Sequence, residues 1–76
     1  MNPAKRQQIF ELGTVASEML TEIVHARPRT WMGDVEALYE LLVSHGPERV
    51  FAAIQEAYAH GLFGSDYVGD ILRRRA

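Results

Sequence analysis

Apolar residues recur at three- and four-residue intervals along most of this 76-residue chain, and no stretch alternates with period two. That spacing lines apolar side chains along one face of a helix, so the pattern predicts an all-α protein. It predicts a compact bundle of about four helices, at about 3–25, 31–45, 47–60 and 65–74, forming one domain over residues 1–76. In the first, Ile9, Leu12, Ala16, Met19, Leu20 and Ile23 share a face, with Phe10, Val15 and Val24 at its margins. Pro3 suits the first turn, where a missing amide donor costs nothing. Gly13 lies inside this pattern at a cost of roughly 1 kcal/mol against alanine. It marks a kink or a close approach within one continuous helix, which the pattern favours, or it divides a short leading helix from the main one.

Ala26 to Thr30 reads as a turn, because Pro28 biases Arg27 away from helical angles. Thr30 is the expected N-cap of the second helix, with Asp34 in or near the first turn, where its charge favours the helix dipole. Trp31, Val35, Leu38, Tyr39 and Leu42 form the apolar stripe, and Glu36 and Glu40 face the other way. Gly46 is expected to end this helix in the left-handed conformation, and Pro47 to open the next at its first turn. Val50, Phe51, Ile54, Ala57 and Tyr58 make the third stripe, which Gly61 ends. Ser65 or Gly64 caps the last helix, with Asp66 in its first turn and Tyr67, Val68, Ile71 and Leu72 as its apolar positions.

Size and charge narrow the picture. A chain this short buries only about 60% of the surface its unfolded form exposes, so dimerisation or docking on a larger body is a natural supplement. An apolar content of 47% argues against disorder. The absence of cysteine removes disulfides and thiolate metal sites and fits a reducing compartment. The opening MNPAKRQQ has no apolar signal core, and no apolar run approaches a membrane span. The expectation is a cytoplasmic protein with no membrane association. Arg73, Arg74 and Arg75 supply three positive charges, so the net −2 leaves −5 on residues 1–72. That balance argues against a wholly nucleic-acid-binding surface.

Candidate chemistry is sparse. His25, His45 and His60 all fall at or near predicted helix C-termini, where imidazoles complement the dipole. No metal-ligand spacing such as HExxH appears, so neither a metal nor a cofactor is expected. Glu11, Glu18 and Glu22 lie opposite the apolar stripe of the first helix, as a solvated face or a docking surface for a basic partner. The GLFG at Gly61–Gly64 reads as a helix stop with Leu62 and Phe63 folding back, not as the clamp of a KH domain, which needs strands. A helix-turn-helix made of the second and third helices would expose Glu48, Arg49, Gln55, Glu56 and His60, a poor face for reading bases. No nucleophile–base pair and no phosphate-cradling loop is apparent, so no enzymatic activity is expected.

The segment RPRTWMGDVEALYELLVSHGPERVFAAIQEAYAHGLFGSDYVGDILRRR, with the upstream ELG and Met19-Leu20, resembles the C-terminal region of IstA-type transposases of the bacterial insertion-sequence family twenty-one. The likeness has three parts. A leucine-rich helix ends in an HG dipeptide (Leu38 to Gly46), an alanine-rich helix follows (Val50 to Ala59), and a G-x-F-G-x-D-Y-V turn leads into a short helix and arginine tail (Gly61 to Arg75). It covers most of the chain, and its third part is the most specific. Such transposases carry an N-terminal DNA-binding helix-turn-helix, an RNase H-like domain with a DDE carboxylate triad and a small β-barrel. This chain is too short for any of these, and no acidic residue here matches the triad. The resemblance implies a non-catalytic appendage that assembles the transposase core on transposon ends or contacts the IstB-type AAA+ helper ATPase.

On that reading Trp31, Phe63 and Phe10 are the candidate anchors of a protein interface, with Glu11, Glu18 and Glu22 setting register and encounter rate. The alternative is nucleic-acid binding through phosphate contacts from Arg27, Arg29, Arg73, Arg74 and Arg75. Self-association as a homo-oligomer is a third reading.

Overall fold

The three predicted boundaries between helices are drawn by glycine or proline, and in the computed structural model they fall where their chemistry puts them. The structure describes residues 3–75, for Pro3 the backbone only. Five α-helices run in order: α1 Pro3–Phe10, α2 Thr14–Ala26, α3 Trp31–His45, α4 Pro47–Ala59 and α5 Ser65–Arg74. No strand occurs among the described residues. The all-α bundle is therefore as the periodicity predicts, with one additional break.

That break corrects the continuous first helix. Gly13 takes φ 152° and ψ 174°, a region open essentially to glycine alone. It ends the pattern of α1 and starts α2. A Cβ on Gly13 would stand 2.7 Å from Cζ of Phe51 on α4, so the glycine also makes room for a ring. The chain folds back here, and α1 packs against both α2 and α3.

At the other boundaries, local chemistry and conformation differ in detail. Gly46 is at once the C-cap of α3 and the N-cap of α4. Its φ of 86° is positive, as expected, but ψ of 161° lies outside the left-handed helical basin. Its N–H donates to the Leu42 carbonyl and its own carbonyl accepts from Val50 N–H, and Pro47 follows at the first helical turn. At the end of α4, Leu62 N–H donates to the Ala57 carbonyl and Gly61 N–H to that of Tyr58. That paired arrangement is a Schellman motif, with Gly61 at φ 69°. Thr30 does occupy the N-cap of α3, yet its side chain makes no capping hydrogen bond.

The core gathers Ile9 from α1, Ala16, Met19, Leu20 and Ile23 from α2, Val35 and Leu38 from α3, Val50, Ala53, Ile54 and Ala57 from α4, and Val68, Ile71 and Leu72 from α5. Phe51, Tyr58, Leu62 and Phe63 pack against it while remaining partly exposed. Tyr67 departs from its expected place in the last stripe: it is exposed, and Gly69 is buried instead. The reason is that Tyr67 turns toward a cation rather than the core, its ring centre 5.8 Å from Cζ of Arg27. The radius of gyration is 10.9 Å, against about 11 Å expected for a compact chain of this length.

Candidate functional site

Two features flank the α2–α3 turn, and they are built from opposite materials. The first is polar and closed. Asp34, 5% exposed, is the one buried charged residue among those described. Its Oδ1 accepts from Arg27 Nη1 at 2.9 Å, from the Ser65 backbone N–H at 2.9 Å and from Ser65 Oγ at 2.8 Å. A carboxylate on α3 thus caps the first residue of α5, satisfying one of the amide donors that every helix start leaves open. The negative charge also suits the positive end of the α5 dipole. Arg27 reaches further and places Nη1 2.9 Å from Asp66 Oδ1. Gly64 lies under the guanidinium: a Cβ there would come within 2.6 Å of Arg27 Cζ and nearer still to the Asp66 carboxylate.

Electrostatics follow from this geometry. The hydrogen bond to Asp66, and after it the charge of Asp34, hold the Arg27 guanidinium above its ordinary value despite partial burial. Reciprocally, Arg27 holds the Asp66 carboxyl below its own. No buried side-chain nitrogen or oxygen among the described residues lacks a hydrogen-bond partner.

The second feature is apolar and open. Phe10 on α1, Leu20 and Val24 on α2, and Trp31 and Val35 on α3 line a groove of about 290 Å³, with Arg6 and Thr21 at its edges. The groove exists because α1 lies against α2 and α3 without filling the space between them. Beyond it, Lys5 pins α1 to α3, its Nζ 2.6 Å from Glu36 Oε2 and 5.3 Å from the centre of the Tyr39 ring. Glu36, which the periodicity places on the wet side of its helix, is thereby used in packing α1.

The residues singled out from the sequence divide among these surfaces. Phe10 and Trp31 meet in the groove. Phe63 does not join them: it lies against Tyr58, with ring centroids 5.7 Å apart and planes tilted by 49°. Glu18 and Glu22 belong with this second aromatic pair. Burial pushes the Tyr58 phenol up, and Glu18 and then Glu22 push it further. Glu11 is exposed and accepts from Gln7 Nε2 at 3.5 Å.

The five arginines of the nucleic-acid reading do not form one patch. Arg27 is engaged by Asp34 and Asp66. Arg73 pairs with Asp70 at 2.5 Å and Arg75 with Glu56. Arg29 and Arg74 are exposed and make no ion pair among the described residues. Arg27 lies at the N-terminal end of α5 and the arginine tail at its other end, about 15 Å apart along the helix axis.

Each histidine stands at a helix C-terminus. His25 is in the last turn of α2, His45 is the last residue of α3, and His60 is the C-cap of α4. Arg49 Nη1 lies 3.3 Å from His45 Nδ1. A guanidinium can only donate, so Nδ1 is the acceptor in this pair. No group of three or more His, Cys, Asp and Glu side chains that could hold a metal occurs among the described residues. No helix among the described residues is long and apolar enough to cross a membrane.

Sequence reasoning missed Asp34 and Arg6. The signal for Asp34 was present, since it sits at the helical spacing of Trp31, Val35 and Leu38, so a charge interrupts an apolar stripe. Arg6 shares the spacing of Ile9 and Phe10 in the same way. In comparisons with known proteins, no family model matches this chain, and neither a curated protein nor a solved structure matches it at a significant level.

Proposed function

We propose that this chain is a non-catalytic docking module of a DNA transposition system, joining a transposase core to its own subunits or to an IstB-type AAA+ helper ATPase. The sequence resemblance supplies the system. The observation that carries the docking mechanism is the open groove, where two of the three aromatic anchors suggested by the sequence, Phe10 and Trp31, are held together on a rigid helical floor. Aromatic anchors in a concave apolar surface are the usual centre of a protein interface. The arginines give the phosphate-binding alternative less support, since three of the five are already paired with carboxylates.

Co-purification tests the proposal. The tagged chain, at micromolar concentration and low salt, is expected to retain the transposase core or the ATPase encoded beside it. Retention of neither rejects docking in transposition. Association with DNA that falls steeply with salt, and is lost on deleting Arg73 to Arg75, would instead support the phosphate reading.

A further inference from the structure

We propose that the α1–α2–α3 groove receives a short helical segment of a partner protein that places a carboxylate beside its apolar anchors. The proposal rests on the docking reading above and supplies the chemistry of the partner at that site.

The size of the groove comes first. At about 290 Å³ it is at the lower limit of small-molecule pockets, and it suits one or two large apolar side chains. Its walls are helices, whose backbone groups are bonded internally, so they offer no edge for an added strand. A helical segment arrives with its own backbone satisfied and contributes side chains alone, which is what these walls can accept.

Charge then selects the flanks. Arg6 and Thr21 are the two polar side chains of the lining. Thr21 is already used, its Oγ1 donating to the Ser17 carbonyl at 3.2 Å. Arg6, half-buried, makes neither an ion pair nor a side-chain hydrogen bond among the described residues. The neighbouring Lys5 shows the contrast, since it is fully engaged by Glu36. A guanidinium at the lip of an apolar groove attracts a carboxylate more strongly than one in open water, because the low-dielectric wall screens it less. A basic segment would meet repulsion here. The groove of an acidic chain is therefore set to take an acidic partner, opposite in sign to what the exposed glutamates suggest.

The adjoining surface fits the same occupant. Met32, next to Trp31, is 49% exposed and extends the apolar area with a side chain that adapts to varied contacts.

The test selects random linear peptides from a display library on the intact chain, then reads binding from the fluorescence of Trp31, the single tryptophan. Peptides with two large apolar residues three or four positions apart and an adjacent Asp or Glu should be enriched, and should shift Trp31 fluorescence saturably. Arg6→Glu should weaken them about tenfold or more and Arg6→Gln by less. Thr21→Arg, an exposed edge position, should block them sterically. Circular dichroism and thermal melting confirm that each variant is folded. No enrichment, basic flanks, peptides indifferent to Arg6→Glu, or enriched peptides that leave Trp31 unchanged would overturn the proposal. So would a Trp31 shift with protein concentration alone, which would mark a second copy as the occupant. No transposition protein takes part in this measurement. A groove selective for acidic peptides in a chain that captures neither transposase nor ATPase would reject the transposition reading and leave the groove standing.

Discussion

The α2–α3 turn separates two edges of the molecule that handle positive charge in opposite ways. On one edge Arg27 is held by two carboxylates, lies over a glycine and faces an aromatic ring. On the other, Arg6 stands at the lip of an apolar groove and makes no ion pair among the described residues. The first arrangement joins the α2–α3 turn to α5 and satisfies every buried polar atom it uses. The second leaves a cation and an apolar wall for something else to complete. A charge whose interactions are met internally contributes to the fold; one placed beside apolar surface and left alone is available to a partner.

The largest effect that separates the two edges is expected from Asp34→Ala. It removes the carboxylate from Arg27 and leaves the Ser65 amide and hydroxyl without their acceptor. Breaking a buried, hydrogen-bonded charge pair costs about 3 kcal/mol, the lower end of the usual range being appropriate because Arg27 keeps some contact with water. Arg6→Ala, which breaks no ion pair or side-chain hydrogen bond among the described residues, should change stability by no more than about 0.5 kcal/mol. Urea denaturation of the two variants measures both. Equal losses would mean that the edges do not differ as described.

The same contrast explains what was legible in the sequence. Helix ends at Gly46-Pro47 and Gly61 were readable because glycine and proline act on their own residue and its immediate neighbours. The histidines at three helix C-termini were readable for the same reason. The latch that Asp34 and Arg27 form on Ser65 and Asp66 was not, because Asp34 and Ser65 are 31 positions apart and nothing local to either indicates the other. Arg27 therefore looked like part of a basic turn, when its charge is directed inward. Gly13 was ambiguous for a different reason. Ile9, Leu12 and Ala16 keep helical spacing across it, and a lone glycine costs a helix too little to exclude continuity. Phe51, 38 positions along the chain, supplies the missing requirement. For the candidate site, the aromatic identities of Phe10 and Trp31 were visible, but their shared groove depends on α1 folding back at Gly13.

Gly13→Ala is the next largest effect and acts on the open edge. The new methyl would press on the Phe51 ring at 2.7 Å and would sit on a backbone with φ 152°. Strain and contact together should cost about 2 kcal/mol. Gly46→Ala provides the comparison, since its φ is also positive but its Cβ would meet nothing within 4 Å. It should cost about 1 kcal/mol. Melting of the two variants separates backbone strain from crowding. If Gly13→Ala costs no more than Gly46→Ala, the approach of Phe51 is not what demands a glycine, and the shape of the groove edge needs another cause.

The smallest effect lies in the acid limb of stability, and it probes the outer half of the latch. Arg27 holds the Asp66 carboxyl below its ordinary 3.8. A carboxyl with a depressed folded-state value contributes stability that is fully present above its unfolded value and is lost as pH falls through the folded one. The contribution is therefore complete at neutral pH and declines below about pH 4. Asp66 is 58% exposed, so solvent screening limits its share to a few tenths of a kcal/mol. Asp66→Asn should lower stability slightly at pH 7 and flatten the decline below about pH 4, and raised salt should shrink the difference between the two proteins. Arg6→Gln should leave the acid limb as it is in the parent, because Arg6 pairs with no carboxylate among the described residues. An acid limb unchanged by Asp66→Asn would leave Asp34 alone as the partner that matters to Arg27. An acid limb altered by Arg6→Gln would mean that the groove edge already has an internal counter-charge, removing the reason to expect an acidic partner there.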